Sequence, residues 1–70
     1  MSVFVIAVTD PESYYLSPGE SVPDHVGAYV ERFASEREAH TWILSPDRPT
    51  YSTESGECPF LVVNAKGVVI

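Results

Sequence analysis

The sequence predicts a single α+β domain. The expected form is an antiparallel or mixed four- to five-stranded sheet with one short helix packed on one face, in the order β-β-β-α-β with room for a fifth strand. Three stretches carry this expectation. Val3-Phe4-Val5-Ile6-Ala7-Val8 is apolar at every position and mostly β-branched, as a strand buried on both faces requires. The segment from Ser35 to Leu44 has the cap and the spacing of a helix. Phe60-Leu61-Val62-Val63 is a second apolar run, bounded by the turn-forming Asn64-Ala65-Lys66-Gly67, and reads as a later strand.

Taken in order, the first strand meets Asp10-Pro11-Glu12-Ser13, with Asp at the first position and Pro at the second, as a type I turn prefers. Tyr14-Tyr15-Leu16 is then expected to return as a second strand, closing a hairpin. Pro18-Gly19 suits a type II turn, with Gly supplying a positive φ, and Ser17 to His25 reads as loop. A third strand is expected from Val26 to Phe33, with Ala28, Val30 and Arg32 on one face and Tyr29, Glu31 and Phe33 on the other. Its imperfect alternation suggests an edge or a half-covered face.

The helix follows directly. The Ser35 hydroxyl is placed to accept from the Glu38 N–H, and Glu38 to reach back to the Ser35 N–H, forming a capping box. Glu36 and Glu38 put negative charge in the first turn, where the helix dipole favours it. Ala39, Trp42 and Ile43 share one face, and Arg37 and Thr41 point away. Pro46 ends the helix by pushing Ser45 out of the α region. About nine residues do not hold a helix alone, so this one must lie on the sheet. Arg48 to Gly56 reads as irregular, with Glu54-Ser55-Gly56-Glu57 an exposed turn and Val68-Val69-Ile70 a short terminal strand.

Two strands apolar on both faces outnumber what one short helix covers. The second face needs another cover. A second copy of the chain is one solution, since a domain this small has little stability to spare. The loops 17–25 and 46–59 folding over the sheet are the other.

Seventy residues with one cysteine, Cys58, exclude a disulfide framework and fit a reducing, cytoplasmic setting. The run Val3 to Val8 is too short for a signal-peptide core or a membrane span. Ten acidic residues face four basic ones, for a net charge of −6. Asp10, Glu12, Glu20, Asp24 and Glu31 all precede the first basic residue, Arg32. This sign argues against direct nucleic-acid binding and against an anionic membrane. An acidic surface that serves only solubility and one that engages a partner both remain open.

Motifs for chemistry are sparse. Cys58 lies between Glu57 and Pro59, whereas a nucleophilic thiol wants positive charge or a helix N-terminus; a structural thiol is the expectation. His25 and His40 lack ligand spacing with Cys58 or Asp24, so no metal or other cofactor is expected. No G-x-S-x-G elbow or phosphate-binding glycine loop is present, and the carboxylates fall in expected loops rather than across a cleft. The reading is a non-enzymatic protein. Tyr14 and Tyr15 are adjacent, so in a strand one of them faces solvent. Tyrosine among acids makes a protein-binding surface, although tyrosines packed at a sheet rim give the same pattern.

The run Tyr29 to Ile43 follows the pattern F-x-S-x-x-E-A-x-x-W-I and resembles a strand-to-helix unit of small bacterial and phage-encoded α+β proteins. In size, acidity and lack of catalytic motifs, the whole chain is similar to phage inhibitors of host defence, including anti-CRISPR proteins. That resemblance implies acidic groups presented where a nucleic-acid-binding partner expects phosphates. The resulting expectation is an inhibitor or adaptor in the host cytoplasm that docks through Asp10, Glu12, Tyr14, Glu20, Asp24 and Glu31 onto a basic protein surface. The alternative is a homodimerising domain whose functional surface is the apolar sheet face.

Overall fold

A computed structural model describes residues 2–23 and 27–70. In chain order the elements are β1 (Val3–Val8), a 3-10 turn (Pro11–Ser13), β2 (Gly27–Phe33), α1 (Glu36–Leu44), β3 (Ser52–Thr53), β4 (Gly56–Glu57) and β5 (Phe60–Asn64). The α+β class is the one expected: a three-stranded antiparallel sheet in the order β2-β1-β5 with one helix, and a separate β3-β4 ribbon. The all-apolar β1 holds the central position, where both of its edges are paired.

On the helix side, Val3, Val5, Ala39 and Val62 form the buried centre, with Val30, Phe33, Trp42, Ile43, Phe60 and Ile70 packed around them. Aromatic rings extend this packing along the helix. Trp42 lies 5.9 Å from Phe33 and 5.4 Å from Phe60, Phe60 lies 5.8 Å from Tyr51, and the Arg48 guanidinium sits 4.4 Å over the Phe60 ring. These tilted and edge-on contacts suit the ring quadrupoles. The helix caps nearly as expected. The Glu38 N–H donates to the Ser35 hydroxyl at 3.2 Å, but the Glu38 carboxylate accepts from Ala34, at 3.4 Å, one residue further back than a standard box. Ser45 is extended, as the proline after it demands.

The imperfect alternation of β2 has a specific cause. Its register shifts against β1, so that Val5 pairs with Glu31, Ile6 pairs with Tyr29, and Val30 is the extra residue. This bulge lets Val30 and Phe33, three residues apart, both pack on the core. Val26, where the strand was expected to start, lies outside the described residues, as do Asp24 and His25.

Two expectations between residues 11 and 23 need correction. Tyr14-Tyr15-Leu16 is not a strand. Asp10 caps the 3-10 turn by accepting from the Glu12 N–H, and the Ser13 and Tyr14 amides donate back to Asp10 and Pro11. Satisfied locally, this backbone has no need of a sheet partner. Ser17 to Val22, read as loop, is loop at Ser17 and Pro18, but residues 19–22 bond to residues 67–69 beside the sheet. The Pro18-Gly19 turn forms as expected, with Gly19 at φ +94°. Beyond it Ser21 bridges Val68, and Val69 donates to Glu20 at 2.9 Å. Residues 67–70 are thus held between this segment and β5, where Val69 bridges Val63 and Ile70 donates to Val62. The terminal strand expected at Val68-Val69-Ile70 is present in this bridged form. The stretch read as irregular holds the β3-β4 ribbon, with Glu54-Ser55 at its tip and Gly56 at φ +112°.

Away from the helix, Val8, Val63 and Val69 are buried, so the half of that face nearest β5 is covered. The half nearest β2 is more open: Phe4 and Ile6 are half-buried, and Tyr29, its ring 5.6 Å from Phe4, is 61% exposed.

Candidate functional site

The β1 C-terminus and the β2 and β5 N-termini lie at one end of the sheet: Val8 pairs with Gly27, and its amide donates to Pro59 at 2.9 Å. The helix also finishes at this end, because Trp42 packs on Phe60, which is paired with Ala7. Four loops or turns leave from here. Asp10 and Glu12 follow β1, Asp47 and Arg48 follow the helix, and Glu54 and Glu57 lie on the ribbon tied back by the Cys58 amide to the Tyr51 carbonyl at 2.7 Å. These residues comprise five carboxylates and one cation. Arg48 is occupied: its Nε donates to the Ile43 carbonyl at 2.6 Å, its guanidinium also reaches the Pro49 carbonyl, and the same group covers Phe60.

At the other end and along the flanks, Glu20, Glu31, Glu36 and Glu38 stand against Arg32, Arg37 and Lys66. The surplus of negative charge therefore lies mainly where Asp10 and Glu12 are. Among the described residues His40 Nε2 lies 3.5 Å from the Glu36 carboxylate, with both side chains about half exposed. No described carboxylate is paired with Lys or Arg.

The residues singled out in the sequence separate accordingly. Asp10 and Glu12 share one turn, where Asp10 also caps the Glu12 amide. Glu20 lies on the segment beyond residues 67–70, its carboxylate accepting the Ser17 amide at 2.9 Å. Glu31 lies on the opposite outer strand, its carboxylate accepting the Arg32 amide at 3.3 Å. The ladder places β1, β5 and residues 67–70 between Glu20 and Glu31, so these two stand on opposite sides of the sheet. Asp24 is outside the described residues. Tyr14 turns its hydroxyl into the protein, buried and without a hydrogen-bond partner among the described residues, whereas Tyr15 is 88% exposed. Asp47, Glu54 and Glu57 were not singled out, although the acidic count of the stretch 46–59 was a visible signal.

Cys58 is 3% exposed. Among the described residues no group of three or more His, Cys, Asp or Glu side chains is placed to hold a metal ion. No helix of the described residues is long and apolar enough to cross a membrane. A groove of about 450 Å³ is bordered by Arg37, Glu38, Thr41, Trp42 and Ser45 on the outer side of the helix. Comparison with protein-family models, with curated proteins and with solved structures yields no match.

Proposed function

We propose that the chain is a non-enzymatic binding protein, an inhibitor or adaptor, that presents the acidic end of its sheet to a basic protein surface. Asp10 and Glu12 form the centre of that end, with Asp47, Glu54, Glu57 and the exposed Tyr15 as neighbours in the fold. The observation that carries the reading is electrostatic: five carboxylates share this end with one arginine that is already committed to main-chain carbonyls and a ring. Uncompensated exposed carboxylates steer a cationic partner and take the positions that phosphates would occupy on it. This is the phosphate-mimicking mode of the phage inhibitors that the chain resembles in type.

The test is capture of basic proteins from a bacterial lysate by immobilised wild type, compared with the double variant Asp10→Lys, Glu12→Lys and with Glu36→Lys as a charge control. Specific capture is expected to fall steeply between about 0.1 M and about 0.5 M salt, as the screening length shortens below 10 Å. It should also be competed by added duplex DNA, lost in the double variant and kept in the control. Capture indifferent to salt, or equal in all three proteins, refutes the reading. A second reading, self-association through the sheet face, draws on Tyr29 exposed beside Phe4; a dimer that is insensitive to salt would favour it.

A further inference from the structure

A sheet's outer strands offer unpaired amides and carbonyls to any strand that approaches, and this sheet treats its two edges differently. One edge, residues 19–22, is short and lies between Pro18 and Pro23. The other is β2, seven residues long and without a neighbour on its outer side among the described residues. The direction of its backbone groups follows from β1. Val8 donates to Pro59, on the β5 side, so by alternation Val3, Val5 and Ala7 direct their hydrogen bonds to β2. Their partners Phe33, Glu31 and Ala28 bond inward, and Arg32 and Tyr29 present their amides outward.

The outward Arg32 amide is already used, since it donates to the Glu31 carboxylate at 3.3 Å. The bulge at Val30 also sets Tyr29 and Arg32 three residues apart, where a straight strand would repeat every two.

We propose that Glu31 closes the β2 edge to strand addition. Its carboxylate occupies the amide that an incoming strand, in particular the β2 strand of a second copy of this chain, would have to bond, and the bulge breaks the repeat such a strand would follow. Glu31 thus acts on its own backbone and not on a partner, although its charge made it a candidate contact residue.

Two measurements test this. In the wild type, hydrogen exchange corrected for intrinsic rates should show the Arg32 amide exchanging about fivefold more slowly than the Tyr29 amide, the scale of one exposed hydrogen bond. Equal rates would overturn the proposal. Sedimentation across a concentration series then compares Glu31→Ala, which removes the acceptor, with Glu31→Gln, which keeps one, and Glu54→Ala, which removes a charge elsewhere. Self-association about tenfold tighter than wild type is expected for Glu31→Ala alone, the scale of a blocked hydrogen-bonding edge made available. If Glu31→Ala associates no more than Glu54→Ala, or if Glu31→Gln associates as strongly as Glu31→Ala, the carboxylate is not the guard.

Discussion

Removing the Trp42 ring tests what holds the helix to the sheet. The indole is half-buried between Phe33 and Phe60, so Trp42→Ala forfeits two aromatic contacts and leaves a gap under the helix. Full truncation of a core Trp costs about 3–5 kcal/mol, and partial exposure places this one near the lower figure, about 3 kcal/mol. A chain of this length carries roughly 3.5–10 kcal/mol in total, at about 0.05–0.15 kcal/mol per residue. The variant therefore retains between about 0.5 and about 7 kcal/mol, and reaches the edge of folding at the lower end of that range. Trp42→Phe keeps an apolar ring at the site and should lose only about 1 kcal/mol. The assay is urea unfolding followed by far-ultraviolet circular dichroism, since Trp42 is the sole tryptophan and its fluorescence disappears with it. A double-mutant cycle with Phe60→Ala should return a coupling of about 0.5–1.5 kcal/mol. Trp42→Ala within about 0.5 kcal/mol of wild type, the range of ordinary surface substitutions, would show that the ring ladder does not anchor the helix.

Two further outcomes are expected. Ser35→Ala should lower stability by about 1 kcal/mol, because the Glu38 amide loses its acceptor; the same urea titration measures it, and Ser35→Asp should restore most of the loss. Cys58, buried at 3% exposure, should react with a thiol reagent at least about tenfold more slowly in native buffer than in urea, in keeping with its opening only by unfolding; equal rates would mean that the thiol is not shielded in the folded chain.

Much of this architecture could be read from the residues. The capped, amphipathic run at Ser35 to Leu44, the all-apolar Val3 to Val8 and the run at Phe60 each carry their own signal, because local chemistry and tertiary role agree there. The misreadings fall where they do not. Residues 19–22 have no alternation and a proline on either side, and they line the sheet only through main-chain bonds to residues 67–69. Tyr14-Tyr15-Leu16 has strand-like composition, but the Asp10 cap turns the chain before it can extend. The bulge at Val30 leaves no mark beyond an untidy pattern. For the candidate site, net charge was visible from composition, but its gathering at one end depends on where four loops emerge, which no local pattern encodes. The inward turn of Tyr14 likewise follows from a cover that forms only in the folded chain.

Because β1 sits at the centre, both of its neighbours come from far along the chain, Val3 lying opposite Phe33 on one side and Asn64 on the other. Early in folding little can consolidate, since the nine-residue helix does not hold without the sheet and the sheet must wait for two long closures. Its assembly is therefore expected to be slow for its size, in the range of folds dominated by distant pairings. Throughout that wait the most apolar segment of the molecule is an open strand, and the self-repulsion of a chain at −6 is what then keeps one copy from finding another.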